Sequence, residues 1–196
     1  MSAVSQTRPA LFIDRDGTII ADAHYPSLAS QVRLLPGAAS AIAHANRAGV
    51  LVIVVTNQSG IARGMITLAQ YEGVRARMDT LLVTAGARVD ATFHCPHWPD
   101  VSGPCDCRKP GLGMYRSASA QFAIDLPRSA YIGDRWRDVE PALATGGFGV
   151  LVPGTESSEA DVEAARTNVS ERVRIAASLG EAVDMSLDVI RDSHAS

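Results

Sequence analysis

The sequence predicts an α/β fold: a Rossmann-like open, mostly parallel sheet with helices on both faces. Three observations carry that expectation. Short, continuously apolar runs recur along the chain, and the clearest, Leu51 to Val55, has no polar interruption, as expected of a strand buried on both faces. Segments with apolar residues at helical spacing separate these runs, and such alternation is the pattern of parallel strands joined by crossover helices. Polar residues suited to chemistry gather just past the strands, and the carboxyl ends of such strands are where ligands bind in sheets of this kind.

In chain order, Leu11 to Ile13 is the first strand, closed by Asp14 with Asp16 and Gly17 directly behind it. Residues 17 to 35 read as a long irregular loop containing Tyr25-Pro26. Pro36-Gly37 leads into an alanine-rich helix to about Ala48, and Gly49 is placed to stop it. The strand from Leu51 empties into the polar run Thr56-Asn57-Gln58-Ser59-Gly60. Thr67-x-x-Gln70 has capping-box spacing, and Leu68, Tyr71, Val74, Met78 and Leu81 repeat on one face of the helix behind it. Val89 to His94 is the third strand, followed by a loop rich in Cys, His and Pro. A helix from about Gly113 to Ala123 carries Met114, Tyr115, Ala118 and Phe122 at helical spacing. Ala130 to Ile132 is the fourth strand, ending at Gly133-Asp134. One helix through Val139 and Leu143 is expected to stop near Gly146-Gly147, before a fifth strand at Val150 to Val152. In the tail, 157–166 reads as helix and 173–176 as an edge strand, and Ser178-x-x-Glu181 caps a last helix ending near Arg191.

The chain has 196 residues, enough for one domain with a substantial core, so 1–196 is expected to fold as a single unit. The segments between Asp14 and Thr56 and between Thr56 and Lys109 are filled by the sheet's own helices and loops, leaving no room for a separate cap domain. A net charge of -3 offers no basic footprint for nucleic acid or an anionic membrane. The first ten residues lack the apolar centre of a secretory signal, and the run from Val50 to Val55 is too short to span a bilayer. A cytoplasmic location, no membrane contact and a monomer are expected.

All three cysteines lie between positions 95 and 107, which points to a metal rather than a disulfide framework. Cys95-Pro96-His97 and Cys105-Asp106-Cys107 offer three thiolates and an imidazole, a complete set for a closed, structural zinc site in a loop of about 94–110. His94 is the rival to His97 for the imidazole position. Because Cys107 lies two residues before Lys109, a metal that fixes this loop also fixes the lysine. His44 and His194 carry no clear chemistry, and His24 differs from them only by its place in the loop after the first strand.

Four strand ends now offer, in order, Asp14-Arg15-Asp16-Gly17-Thr18, then Thr56, then Lys109, then Gly133-Asp134 with Asp138. This set resembles the haloacid dehalogenase superfamily of phosphohydrolases over residues 11 to about 152. The cysteine loop continuing into Arg108-Lys109-Pro110, together with Asn57-Gln58-Ser59-Gly60-Ile61-Ala62-Arg63-Gly64, is similar to the heptose bisphosphate phosphatases, with histidinol-phosphate phosphatases as close relatives. Two departures from the family pattern are Ile20, where Asn is common, and Arg135, where Lys is frequent.

The resemblance implies a magnesium-dependent phosphatase in which Asp14 is the nucleophile and Asp16 the general acid and base. Thr56 and Lys109 would stabilise the transferring phosphoryl group. Magnesium would be held by Asp14, Asp134 and the main-chain carbonyl of Asp16. Asp138 either supports that site or faces solvent from its helix. The resemblance further implies that Arg108 contributes to substrate recognition, with Asp22, Tyr25, Asn57, Gln58, Ser59 and Arg135 completing the pocket. The expected substrate is a small sugar phosphate, with the C7 phosphate of a heptose 1,7-bisphosphate leading. Histidinol phosphate is the alternative, and a non-catalytic zinc-stabilised binding module the remote one.

Overall fold

In the computed structural model, which describes residues 7–22, 27–168 and 172–192, six strands form one parallel sheet. They are β1 (Ala10–Ile13), β2 (Leu51–Asn57), β3 (Ala91–Cys95), β4 (Ala130–Gly133), β5 (Phe148–Leu151) and β6 (Val173–Ile175). Their order is β3-β2-β1-β4-β5-β6, so the direction of winding reverses between β1 and β4. Phe12 of β1 pairs with Ile53 on one side and Tyr131 on the other. The crevice above that reversal is the place where open sheets of this type bind ligands, and Asp14 and Asp134 follow the two strands that flank it.

Side chains on these strands alternate between two cores. Leu11, Ile13, Val52, Val54, Ile132 and Val150 pack under α1 (Ala38–Arg47), α2 (Leu68–Thr84) and α8 (Leu179–Asp192). Ala10, Phe12, Ile53, Val55 and Tyr131 pack on the opposite side, against α4 (Gly113–Phe122) and α6 (Pro141–Thr145). There the rings of Phe12, Tyr115 and Tyr131 meet at centroid distances of 5.1 to 5.2 Å. Deleting a ring such as Phe12 would cost about 3–5 kcal/mol. Both faces are covered, which is why the strands read as continuous apolar runs.

Several local expectations are corrected. β2 continues to Asn57, because Thr56 and Asn57 still pair in register with His94 and Cys95 of β3. The buried line of α2 is Tyr71, Val74, Met78 and Leu82; Leu68, at its first turn, is 53% exposed, and Leu81 sits at the core's margin. The single helix expected through Val139 and Leu143 is two, α5 (Trp136–Val139) and α6, divided at Pro141, which has no N–H to continue the helix. The cysteine loop contains a short helix, α3 (Pro99–Ser102), and the loop of 17 to 35 holds a 3-10 turn at Ala29–Gln31. The tail follows expectation, with α7 (Glu159–Thr167) capped by Ser158, β6 at the sheet edge, and α8. Between β1 and β2 the described chain holds only the 3-10 turn and α1, and between β2 and β3 only α2. Tyr25, His24 and His194 lie outside the described residues.

Candidate active site

β1 is buried along its whole length, so the first residue past it, Asp14, emerges at the rim only 6% exposed. The chain then turns sharply. Gly17 donates to the carbonyl of Ile20 at 2.9 Å, while Ile19 and Ile20 donate to that of Arg15 at 2.9 and 3.0 Å. Gly17 has φ of +79°, and a Cβ there would lie 2.5 Å from Asp134 Oδ2, so both conformation and space require glycine.

Asn57, at the end of β2, clamps the backbone of Lys109. The Lys109 N–H donates to Asn57 Oδ1 at 3.0 Å, and Asn57 Nδ2 donates to the Lys109 carbonyl at 3.2 Å. The lysine side chain then runs into the protein, where its ammonium lies 2.7 Å from Asp14 Oδ1, 2.7 Å from Asp138 Oδ1 and 2.6 Å from the Val55 carbonyl. Two of these contacts are hydrogen bonds, to Asp14 and the Val55 carbonyl, and the third is an ion pair with Asp138.

Asp14, Asp134 and Asp138 present carboxylate oxygens that all lie within 4.8 Å of one another, and all three residues are buried. One ammonium does not neutralise three carboxylates. Burial, then the charge of Asp138, push Asp14 up to about 6 against the opposing pull of Lys109. Burial, then the charges of Asp14 and Asp138, push Asp134 up to about 8. Burial alone would lower Lys109, but Asp138 and Asp14 outweigh it and hold the ammonium above its usual value. Asp134 Oδ1 has no hydrogen-bond partner among the described residues. An excess of buried negative charge with an orphaned carboxylate oxygen fits a hard divalent cation such as magnesium. Asp138 does not face solvent: one oxygen meets Lys109 and the other accepts from the Arg135 N–H at 3.1 Å.

Asp16 turns away from this cluster. Its carboxylate accepts from Arg15, from Gln58 Nε2 at 2.8 Å and from Thr56 Oγ1 at 3.3 Å. Of the residues singled out from sequence, Asp14, Asp16, Asp22, Thr56, Asn57, Gln58, Ser59, Arg108, Asp134 and Arg135 line one cavity of about 370 Å³. Lys109 lies beneath it, and Tyr25 falls outside the described residues.

Sequence reasoning missed Arg15, Arg63, Trp98, Arg137 and Glu156, all of which line the same cavity. Arg63 was visible within the run that follows Thr56, and Trp98 stands beside the proposed ligand His97. The Trp98 indole carries two guanidiniums, with Arg108 4.8 Å and Arg63 5.2 Å from its centroid. α3 anchors this residue, since the Trp98 N–H donates to Ser102 Oγ at 2.9 Å.

The cysteine loop closes on itself. Cys95 Sγ is 3.0 Å from Cys107 Sγ and 3.7 Å from Cys105 Sγ, and His97 Nδ1 is 3.1 Å from Cys107 Sγ. A tetrahedral zinc site with sulfur bonds near 2.3 Å separates its ligands by roughly 3.8 Å, so this four-ligand set fits such an ion with small adjustments. His94 is not part of it; its ring rests on Tyr71 at 4.4 Å. The loop also supports the cavity wall, because the Gln58 N–H donates to the Cys95 carbonyl at 2.7 Å. No helix among the described residues is long and apolar enough to cross a membrane.

The chain is similar to known proteins along most of its length. The HAD-hydrolase-like family model matches residues 106–182. A D-glycero-beta-D-manno-heptose-1,7-bisphosphate 7-phosphatase of Rhodopseudomonas palustris is 39% identical over 170 residues, covering 83% of this chain and 91% of the relative. One from Pseudomonas putida is 44% identical over 144 residues, covering 72% and 81%. The crystal structure of D,D-heptose 1,7-bisphosphate phosphatase from B. bronchiseptica, complexed with magnesium and phosphate, superposes with a TM-score of 0.80 at 32% identity, covering 92% of this chain and 98% of that one.

Proposed function

From the premise that the chain belongs to the haloacid dehalogenase-like phosphatases, we propose that it removes the C7 phosphate of D-glycero-D-manno-heptose 1,7-bisphosphate through an aspartyl-phosphate on Asp14. The observation that carries this reading is the buried Asp14, ion-paired to Lys109 at 2.7 Å, at the base of a cavity rimmed by Arg63, Arg108, Arg135 and Arg137.

Asp14 attacks phosphorus while the bond to the sugar oxygen breaks, and that oxygen leaves with the electron pair and takes a proton from Asp16. In the second step Asp16 takes a proton from water, the water oxygen bonds to phosphorus, and the bond to Asp14 breaks. Splitting hydrolysis in this way replaces one slow displacement with two easier ones. Lys109 opposes the rise in the Asp14 pKa and sets its positive charge beneath the phosphoryl group, and the Thr56 hydroxyl meets a phosphoryl oxygen. Preorganised donors of this kind are worth about 3 kcal/mol each. Asp14, Asp134 and the Asp16 carbonyl, with Asp138 in support, would hold magnesium, which would supply charge neutralisation at the transferring group.

Arg108, backed by Trp98, meets the second phosphate. Asp22, Asn57, Gln58, Ser59 and Arg135 read the sugar, with Tyr25 retained in this role from the sequence. Zinc on Cys95, His97, Cys105 and Cys107 rigidifies the loop that carries Arg108 and Lys109. The enzyme acts as a single cap-free domain, a cytoplasmic monomer supplying nucleotide-activated heptose synthesis. Four rim arginines favour a second anionic group over the cationic end of histidinol phosphate. A phosphate-release panel tests the reading: heptose 1,7-bisphosphate should turn over fastest, and faster release from histidinol phosphate would reverse it.

A further inference from the structure

Arg15 stands between the two active-site aspartates, and the chemistry above gives it no part. Its side chain is nonetheless only 1% exposed. The guanidinium folds onto its neighbour's carboxylate: Nε donates to the two oxygens of Asp16 at 3.2 and 3.1 Å, and Nη2 donates to Oδ1 at 3.0 Å. Behind it lies the Tyr71 ring, whose centroid is 5.3 Å from the guanidinium carbon. That ring rests in turn on His94, which pairs with Thr56 across β2 and β3. Nη1 has no hydrogen-bond partner among the described residues, and Asp16 is the one carboxylate ion-paired with Arg15 there.

A guanidinium is costly to take out of water, and a well-packed apolar side chain in its place commonly holds a fold as well or better. Stability is therefore a poor reason for an arginine here. Asp16 remains 19% exposed at the cavity, so the pair joins a buried cation to a carboxylate that opens on the ligand site. Gln58 and Thr56 each grip a single oxygen, Oδ2. Among the described residues Arg15 alone holds both, and a planar fork fixes the plane of a carboxylate as well as its position.

We infer that Arg15 is a positioning residue that aims the Asp16 carboxyl at the leaving-group oxygen, with Tyr71 as the backstop for its guanidinium. The inference rests on the reading of Asp16 as the proton donor.

The test is the dependence of kcat/KM on the leaving group, because this ratio covers only the steps up to cleavage of the phosphate ester. A sugar alkoxide needs the proton of Asp16, whereas the phenolate of 2,4-dinitrophenyl phosphate departs without one. R15M should lower kcat/KM for heptose 1,7-bisphosphate by about thirtyfold or more and change that for the aryl phosphate by less than about threefold. R15K keeps the charge without the fork, and should lose about tenfold on the sugar phosphate alone; it carries the test if R15M does not fold. Equal losses on both substrates, or an unchanged rate on the sugar phosphate, would overturn the inference. D16N is measured beside them. If D16N does not discriminate between leaving groups, the proton-donor reading itself fails; if D16N discriminates and the Arg15 variants do not, only the role of Arg15 fails.

Discussion

Lys109 Nζ and Asp14 Oδ1 lie 2.7 Å apart with both side chains almost wholly withdrawn from solvent. The pair joins the loop after β3 to the end of β1, and Asp138 makes it a triad. Removing the ammonium would leave Asp14 and Asp138 as uncompensated buried charges, which costs about 3–5 kcal/mol. K109M should therefore lose that stability in urea unfolding and lower turnover at least about a hundredfold. Adding D14N to K109M should restore part of the stability. No recovery in the double variant would mean that the pairing is not the source of the loss.

The metal-free protein should lose stability as pH rises through the neutral range. Asp14 and Asp134 ionise at about 6 and about 8 in the folded chain, above the ordinary 3.8. The stability that they contribute is thus complete below about pH 4 and is lost as pH climbs through those two values. Melting temperatures without metal should fall from about pH 5 to pH 8.5, and magnesium should flatten that fall by favouring the ionised carboxylates. A level metal-free profile would contradict this account of the cluster.

Removing zinc should lower stability and activity together. The four candidate ligand atoms lie within 4.8 Å of one another in the loop that carries Arg108 and Lys109, and Cys95 also holds Gln58 through its carbonyl. Chelation followed by gel filtration should give a lower melting temperature and slower turnover, both recovered on adding zinc. An apo-protein with unchanged melting and turnover would remove the structural role.

Trp98 and Arg108 should govern selectivity between substrates rather than the chemical step. R108A should raise KM for the bisphosphate about tenfold to a hundredfold, the loss of a charge-assisted contact of about 1.5–3 kcal/mol, and leave KM for a heptose 7-monophosphate nearly unchanged. W98L, which removes the surface shared by Arg63 and Arg108, should act in the same direction but less strongly. Equal effects on both substrates would place the second phosphate elsewhere.

The strands and their rim residues were legible because a parallel strand buried on both faces has no room for polar groups. Where β1, β2 and β4 open at the rim, the first polar residues, Asp14, Thr56 and Asp134, are conspicuous by contrast. The clustering of the cysteine loop was legible because its four candidate ligands lie close in sequence. Arg15 was not: beside two aspartates it reads as a solvated charge, and the ring of Tyr71 that lies behind it comes from a helix far along the chain. The Trp98 platform likewise depends on Arg63, which lies on a separate loop. Helix spacing leaves Asp138 open between support and solvent, because it does not reveal that the ammonium of Lys109 reaches it. The division at Pro141 was written in the sequence and follows from the missing N–H.

The nucleophile is the centre of the account, and D14N tests it most directly. The substitution keeps the shape of the side chain while removing the charge and most of the nucleophilicity. Turnover of heptose 1,7-bisphosphate should fall to background while the folded protein retains its melting temperature or gains slightly from the relieved repulsion with Asp134 and Asp138. A folded D14N protein that still releases phosphate at a substantial fraction of the native rate would contradict the claim that Asp14 carries the phosphoryl group.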